Sequence, residues 1–190
     1  MCGRYHFSRD VADDMMVSIL NTMDRKYSGR FKTGELCPGD SVPGIISWHD
    51  KIVPVPAIFG FPGFKDNKLL INARAETAAE KISFAESLQQ RRIVLPATAF
   101  YEWSHDRKNQ KYLFALKGQS AMYLCGIYKK IEGTPRFVIL TREASASVAE
   151  IHNRMPVIIS EYNVRRYLTD YHAALDIISF QPPILERQVA

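Results

Sequence analysis

The sequence predicts an α+β fold: one domain over 1–190, built on a strongly curved, barrel-like and mainly antiparallel sheet with short peripheral helices. Three observations lead there. Runs rich in β-branched and aromatic residues outnumber helix-period stretches, short polar segments join most of those runs, and the helical stretches are brief. With 190 residues, 46% of them apolar, the chain can bury one sizeable core.

The first helix is expected over 9–23, where Ser8 is a suitable N-cap and Val11, Met15, Ile19 and Met23 recur every fourth residue. Strands follow over 42–61, turning at His49-Asp50, and again over 68–73. Ala78, Ile82, Ala85 and Leu88 carry helical spacing and predict a helix over 77–90. After it, 92–95 and 100–103 read as strands. The segments 111–116, 121–128 and 136–141 are most simply joined as an antiparallel meander. Ser145 or Ser147 can cap a short helix through Ile151, Met155-Pro156 breaks it, and 157–159 returns to strand. Ser160 can cap a helix over 161–169, and 179–190, with Pro182-Pro183, shows no regular pattern.

Composition narrows the classes of function. No apolar run approaches the roughly 20 residues of a membrane span, and the opening MCGRYHFSRD lacks the apolar stretch of a signal peptide, so a cytoplasmic protein with no membrane partner is expected. Cys2, Cys37 and Cys125 are odd in number and far apart, so neither a disulfide, nor a metal site, nor any other cofactor is expected. The net charge of +5 gathers in short groups: Arg25-Lys26, Arg30 and Lys32, Arg91-Arg92, Arg107-Lys108 with Lys111, Lys129-Lys130 and Arg165-Arg166. Such a surplus suits a polyanion, and it reads as readily as a set of solvated faces.

Cys2 carries unusual chemical potential. Once Met1 is removed, it presents a thiol of pKa about 8.5 and an α-amine of about 7.7 to 8.0 on adjacent carbons. The amine can condense with an aldehyde, and the thiol can then close a five-membered thiazolidine, which no internal cysteine can do. Glu102 stands in the aromatic run Phe100-Tyr101-Glu102-Trp103, where a carboxylate is paired, protonated, at a site, or on the solvent face of an alternating strand. His152, just before Met155-Pro156, is a natural proton shuttle, although a lone histidine is commonly a surface residue. Asn72 and Arg74 alternate and can share a side, Asn holding a nucleophile and Arg a phosphate; an Arg74–Glu76 salt bridge is the competing reading.

Met1-Cys2-Gly3-Arg4, Asn72-Ala73-Arg74 with Glu76-Thr77, Glu102-Trp103, and Ile151-His152 with Arg154 and Pro156 together resemble the SRAP family, named for the SOS-response-associated peptidase domain. The resemblance runs to about residue 160. It implies a one-domain α+β protein, acting as a monomer in the response to DNA damage, that captures abasic sites in single-stranded DNA through a thiazolidine. By that likeness Cys2 is the nucleophile, Asn72 positions it, Glu102 moves protons and His152 assists, while Arg4, Arg74 and Arg154 hold phosphates. Abasic-site lyase activity is implied when the imine is not trapped.

The likeness has gaps. The family's usual Asn-Xaa-Ala-Pro-Gly is here Glu35-Leu36-Cys37-Pro38-Gly39, and its Pro-Gly-Trp is Pro62-Gly63-Phe64, where Phe64 can still stack on a base. Two other functions compete: a cysteine-type hydrolase or autopeptidase using Cys2 with Glu102 and His152, and a non-covalent binder of single-stranded DNA.

Overall fold

The computed structural model describes residues 2–63, 68–104 and 109–190. In chain order the described elements are β1 (Arg4–Phe7), α1 (Asp14–Tyr27), β2 (Gly34–Leu36), β3 (Ser41–Trp48), β4 (Lys51–Phe59), β5 (Phe61–Pro62), β6 (Leu69–Leu70) and β7 (Asn72–Arg74). They continue with α2 (Ala75–Ala78), α3 (Ala85–Gln90), β8 (Arg92–Ala97), β9 (Ala99–Trp103), β10 (Lys111–Leu116), β11 (Met122–Ile131) and β12 (Thr134–Glu143). The chain closes with α4 (Ala146–Ala149), β13 (Arg154–Pro156), β14 (Ile158–Ile159), α5 (Glu161–Thr169), α6 (Tyr171–Ser179) and β15 (Leu185–Val189). This is the α+β class expected, with short helices set around many strands.

The larger sheet curls into a ring. Strands β4, β3, β8 and β11 pair antiparallel in turn, and β12 joins both ends by pairing antiparallel with β11 and parallel with β4. Strand β7 lies parallel to β12, with Asn72 opposite Ile139 and Arg74 opposite Thr141. The parallel pairs make the ring uneven rather than a regular barrel. A second sheet runs in the order β15-β10-β9-β1-β2. Aromatic side chains fill the core: Phe59 stacks on Phe137 with ring centres 5.0 Å apart, and Tyr5 meets Phe59 edge-on.

Several elements depart from the sequence expectation. Helix α1 starts at Asp14, because the Asp13 carboxylate accepts the Met16 N–H while Ser8 closes a local turn onto Asp10 N–H. Its buried stripe is Met16, Ile19, Leu20 and Met23. The helix expected over 77–90 breaks into α2 and α3. Between them Lys81 O accepts both Phe84 N–H and Ala85 N–H, Phe84 turns inward, and Ile82 is left 98% exposed. The His49-Asp50 turn is as read, with both residues at positive φ.

The expected meander is divided between the sheets. Strand β10 pairs with β9 and β15, and the chain crosses at 117–121 before β11 enters the ring. Met155-Pro156 does not break the short helix expected through Ile151, which has already ended at Ala149, but lies within β13, against β12. Helix α6, capped by Asp170 on Ala173 N–H, and β15 were not foreseen. In β15 only Leu185 is buried, so this edge strand has no alternation to read.

Candidate active site

The two sheets bring the N-terminus, the end of β9 and the start of β7 together. Strand β1 pairs antiparallel with β9, Arg4 opposite Tyr101, so the residues just ahead of β1 run beside the end of β9. Cys2 is fully buried there. The Asn72 side-chain amide donates to Cys2 O at 3.1 Å, and Asn72 Oδ1 is buried without a hydrogen-bond partner among the described residues.

Glu102 is 2% exposed on β9. Burial pushes its carboxyl up to about 7, against the opposing influence of the amino terminus and of the Trp103 backbone N–H. The Cys2 thiol is pushed far above its ordinary value, first by burial and next by the charge of Glu102, so the two groups feel one another. Its Sγ donates only a long bond of 3.8 Å to Arg4 O.

Across the ladder from Glu102 stands Tyr112, so the two share one face of the sheet, and Ser104 lies on that face two residues beyond Glu102. His152 lines a cleft of about 510 Å³ with Ser104, Tyr112 and Glu150. The face of β9 that carries Glu102 therefore continues into the cleft that His152 lines.

The opposite face of this sheet is charged and aromatic. Glu35 accepts from Arg4 at 2.7 Å and from Lys111 at 2.8 Å. Lys111 Nζ sits 4.0 Å from the centre of the Tyr101 ring, and the Arg4 guanidinium 5.3 Å from that of Trp103. Lys111 and Arg4 hold the Glu35 carboxyl below its usual range. The carboxylate that departs from the family pattern is thus the counter-ion of an arginine expected to hold phosphate.

The three expected phosphate ligands differ in their surroundings. Arg4 is paired with Glu35. Arg74 is exposed and has no ion pair among the described residues. Arg154 is bidentate to Glu76 at 2.7 and 2.8 Å and donates to Thr141 O at 2.6 Å. Glu76 therefore pairs with Arg154, not with Arg74, and the Arg154 hydrogen bonds pull its carboxyl down to about 2. Phe64 lies outside the described residues. Glu76 and Lys111 were missed as site residues: Lys111 was only one of many basic residues, and its place over Tyr101 follows from a strand pairing that spacing cannot supply.

This arrangement holds the Cys2 backbone by its carbonyl and sets Cys2 within electrostatic reach of a carboxyl that exchanges its proton near neutrality. It suits a thiolate hydrolase less well, since such enzymes lower the thiol pKa and here burial raises it.

Residues 1–185 match the family described as SOS response associated peptidase (SRAP). The chain is 31% identical over 177 residues to the abasic site processing protein YoqW of Bacillus subtilis, covering 87% of this chain and 68% of that protein. It is 26% identical over 181 residues to the abasic site processing protein YedK of Escherichia coli, covering 88% and 79%. In fold it resembles the crystal structure of a protein from Bacteroides thetaiotaomicron, with a TM-score of 0.77 and 21% identity over 99% of this chain and 91% of that one.

Proposed function

Since this chain belongs to the SRAP family, we propose that it processes abasic sites in single-stranded DNA by capturing them covalently through Cys2 after removal of Met1. The observation that carries this reading is the convergence on Cys2 of Asn72 and the buried Glu102. Removing Met1 turns the Cys2 backbone amide into a free amine at this place.

The open form of an abasic sugar is an aldehyde. The α-amine attacks its carbon, and loss of one water leaves an imine. The thiol sulfur then adds to the imine carbon, its proton passes to nitrogen, and the thiazolidine closes. Each stage moves protons, and a carboxyl at about 7 can give or take one at neutral pH. The thiol starts protonated, so it needs a nearby acceptor such as Glu102. Asn72 holds the Cys2 carbonyl and keeps an unused acceptor for the new amine. His152, lining the cleft reached along the Glu102 face, assists.

Arg74, exposed and with no ion pair among the described residues, offers its charge to phosphate, and Arg4 joins it when a phosphate displaces Glu35. The protein incubated with single-stranded DNA carrying one abasic site should give a denaturation-resistant adduct whose mass is the sum of the two less one water. Failure to form that adduct, with DNA binding retained, would return the protein to a non-covalent binder.

A further inference from the structure

We propose that the turn joining β3 and β4, with helix α5 beside it, is a second contact for single-stranded DNA, remote from Cys2. Trp48 and Tyr162 stack on unpaired bases there, and Lys51, Lys130 and Arg165 hold the phosphates. The inference rests on the reading of single-stranded DNA as the substrate and extends the contact beyond the lesion. It begins with two basic groups that the capture chemistry leaves unused, Lys129-Lys130 and Arg165-Arg166. The fold brings one cation of each group to the β3–β4 turn.

Trp48 ends β3 and is 52% exposed, a large apolar surface left in water. Lys130 Nζ lies 4.7 Å from the centre of its ring, and the His49 ring meets it edge-on at 4.8 Å. Lys51 stands directly across the ladder from Trp48, so the two share a face. The Arg165 guanidinium donates to Asp50 O at 3.2 Å, which sets α5 beside the turn. Tyr162, three residues before Arg165 and so on the same side of α5, is 79% exposed. Lys51, Lys130 and Arg165 have no ion pair among the described residues. Over the β3–β4 and β11–β12 turns and α5, Lys51, Lys129, Lys130, Arg165 and Arg166 stand against Asp50, Glu132 and Glu161, a balance that favours an anion.

Cations alone would suit any polyanion. Exposed rings set among them suit a strand whose bases are unpaired, since every base has a face to stack and every linkage a phosphate. Lys130 covers one face of Trp48, and its flexible stem lets the ammonium move to a phosphate as a base takes that place. The contact is far from the lesion. Lys51, opposite Trp48, opens β4, and Phe59, on which Tyr5 packs three residues after Cys2, closes it. The eight steps from 51 to 59, at about 3.3 Å each, set these ends roughly 26 Å apart. That is about seven or eight nucleotides at 3.4 Å each, so a strand must run well past the lesion to reach Trp48.

The test uses the full mature chain with Trp48→Ala, Trp48→Phe, Lys130→Gln and Arg165→Gln. The probes are single strands with a tetrahydrofuran analogue, which has no aldehyde, flanked on each side by about three or about twelve unpaired nucleotides. The wild type should bind the long strand more tightly than the short one. Trp48→Ala should weaken binding of the long strand roughly tenfold and leave the short one unchanged, and Trp48→Phe should recover most of the loss. Lys130→Gln and Arg165→Gln should each flatten the salt slope by about 0.7, for the long strand alone. The fluorescence of Trp48, taken as the difference between wild type and Trp48→Phe, should be quenched by a long unmodified strand. Adduct formation on a short abasic strand should be alike in wild type and Trp48→Ala. Equal binding of the long strand by wild type and Trp48→Ala would overturn the proposal, as would an equal loss on both lengths. If polyglutamate removes the extra affinity of the long strand as well as unmodified DNA does, the surface serves an acidic protein segment and the proposal is wrong. If the wild type forms no adduct but the length dependence persists and is lost in Trp48→Ala, the proposed function fails and this contact stands.

Discussion

The Asn72 side-chain amide reaches across from β7 to donate to the carbonyl oxygen of Cys2 at 3.1 Å, tying two residues 70 apart in sequence. Asn72→Ala removes the donor and the unused acceptor together. Loss of orientation at a reacting amine should slow adduct formation by roughly 10²-fold, with reversible DNA binding retained. Time courses with abasic and tetrahydrofuran oligonucleotides separate the two effects, and an unchanged adduct rate would make the contact structural only.

Glu102→Gln keeps the shape of the side chain but cannot exchange a proton, so adduct formation should slow by about 10²- to 10⁴-fold. The same substitution should stabilise the fold at alkaline pH. A carboxyl raised in the folded state, from 4.5 to about 7, contributes stability that is full below 4.5 and is lost as the pH rises through 7. Relative to the wild type, Glu102→Gln should therefore gain stability between these values, by up to about 3 kcal/mol above pH 7. Denaturant unfolding at pH 4, 6 and 8 checks the sign; a constant difference across the series would show that burial does not raise this carboxyl.

Glu35 neutralises Arg4 and Lys111, and Glu35→Gln should release both to phosphate. Affinity for single-stranded DNA should rise and its salt dependence steepen, by about 0.7 in the log–log slope for each further phosphate neutralised. Weaker binding would mean that Glu35 instead holds these cations in their binding posture.

Arg74 is exposed and has no ion pair among the described residues, and it sits at the end of the strand that begins with Asn72. Arg74→Ala should flatten the same slope by about 0.7 and weaken binding alike for all sequences. An unchanged slope would remove Arg74 from the DNA contact.

Much of the fold was legible because its signals are local. Strand β10 and helix α5 match their sequence ranges, and β11 and β12 run two or three residues past theirs, since periodicity and capping act within a few residues. Pairings were not legible. Nothing in 111–141 says that the chain changes sheets at 117–121, and Leu185 alone cannot announce β15. The same limit holds in the site. Cys2, Asn72 and Glu102 stand out by residue type and context, but the partner of Glu76 could not be read from its neighbour Arg74. It is Arg154, 78 residues away, brought in by the pairing of β13 with β12.

The most direct test of the central claim compares three forms of the chain on one abasic oligonucleotide: mature, Cys2→Ser, and one with the N-terminus extended. The mature protein should give a stable adduct less one water in mass. Cys2→Ser keeps the amine and loses the thiol, so its imine should be trapped only by borohydride and, untrapped, should nick the strand by β-elimination. The extended chain has no free amine at Cys2 and should form no adduct and no nick, while binding the DNA reversibly as before. A stable adduct on the extended chain at the rate of the mature protein would contradict the account and place the nucleophile elsewhere.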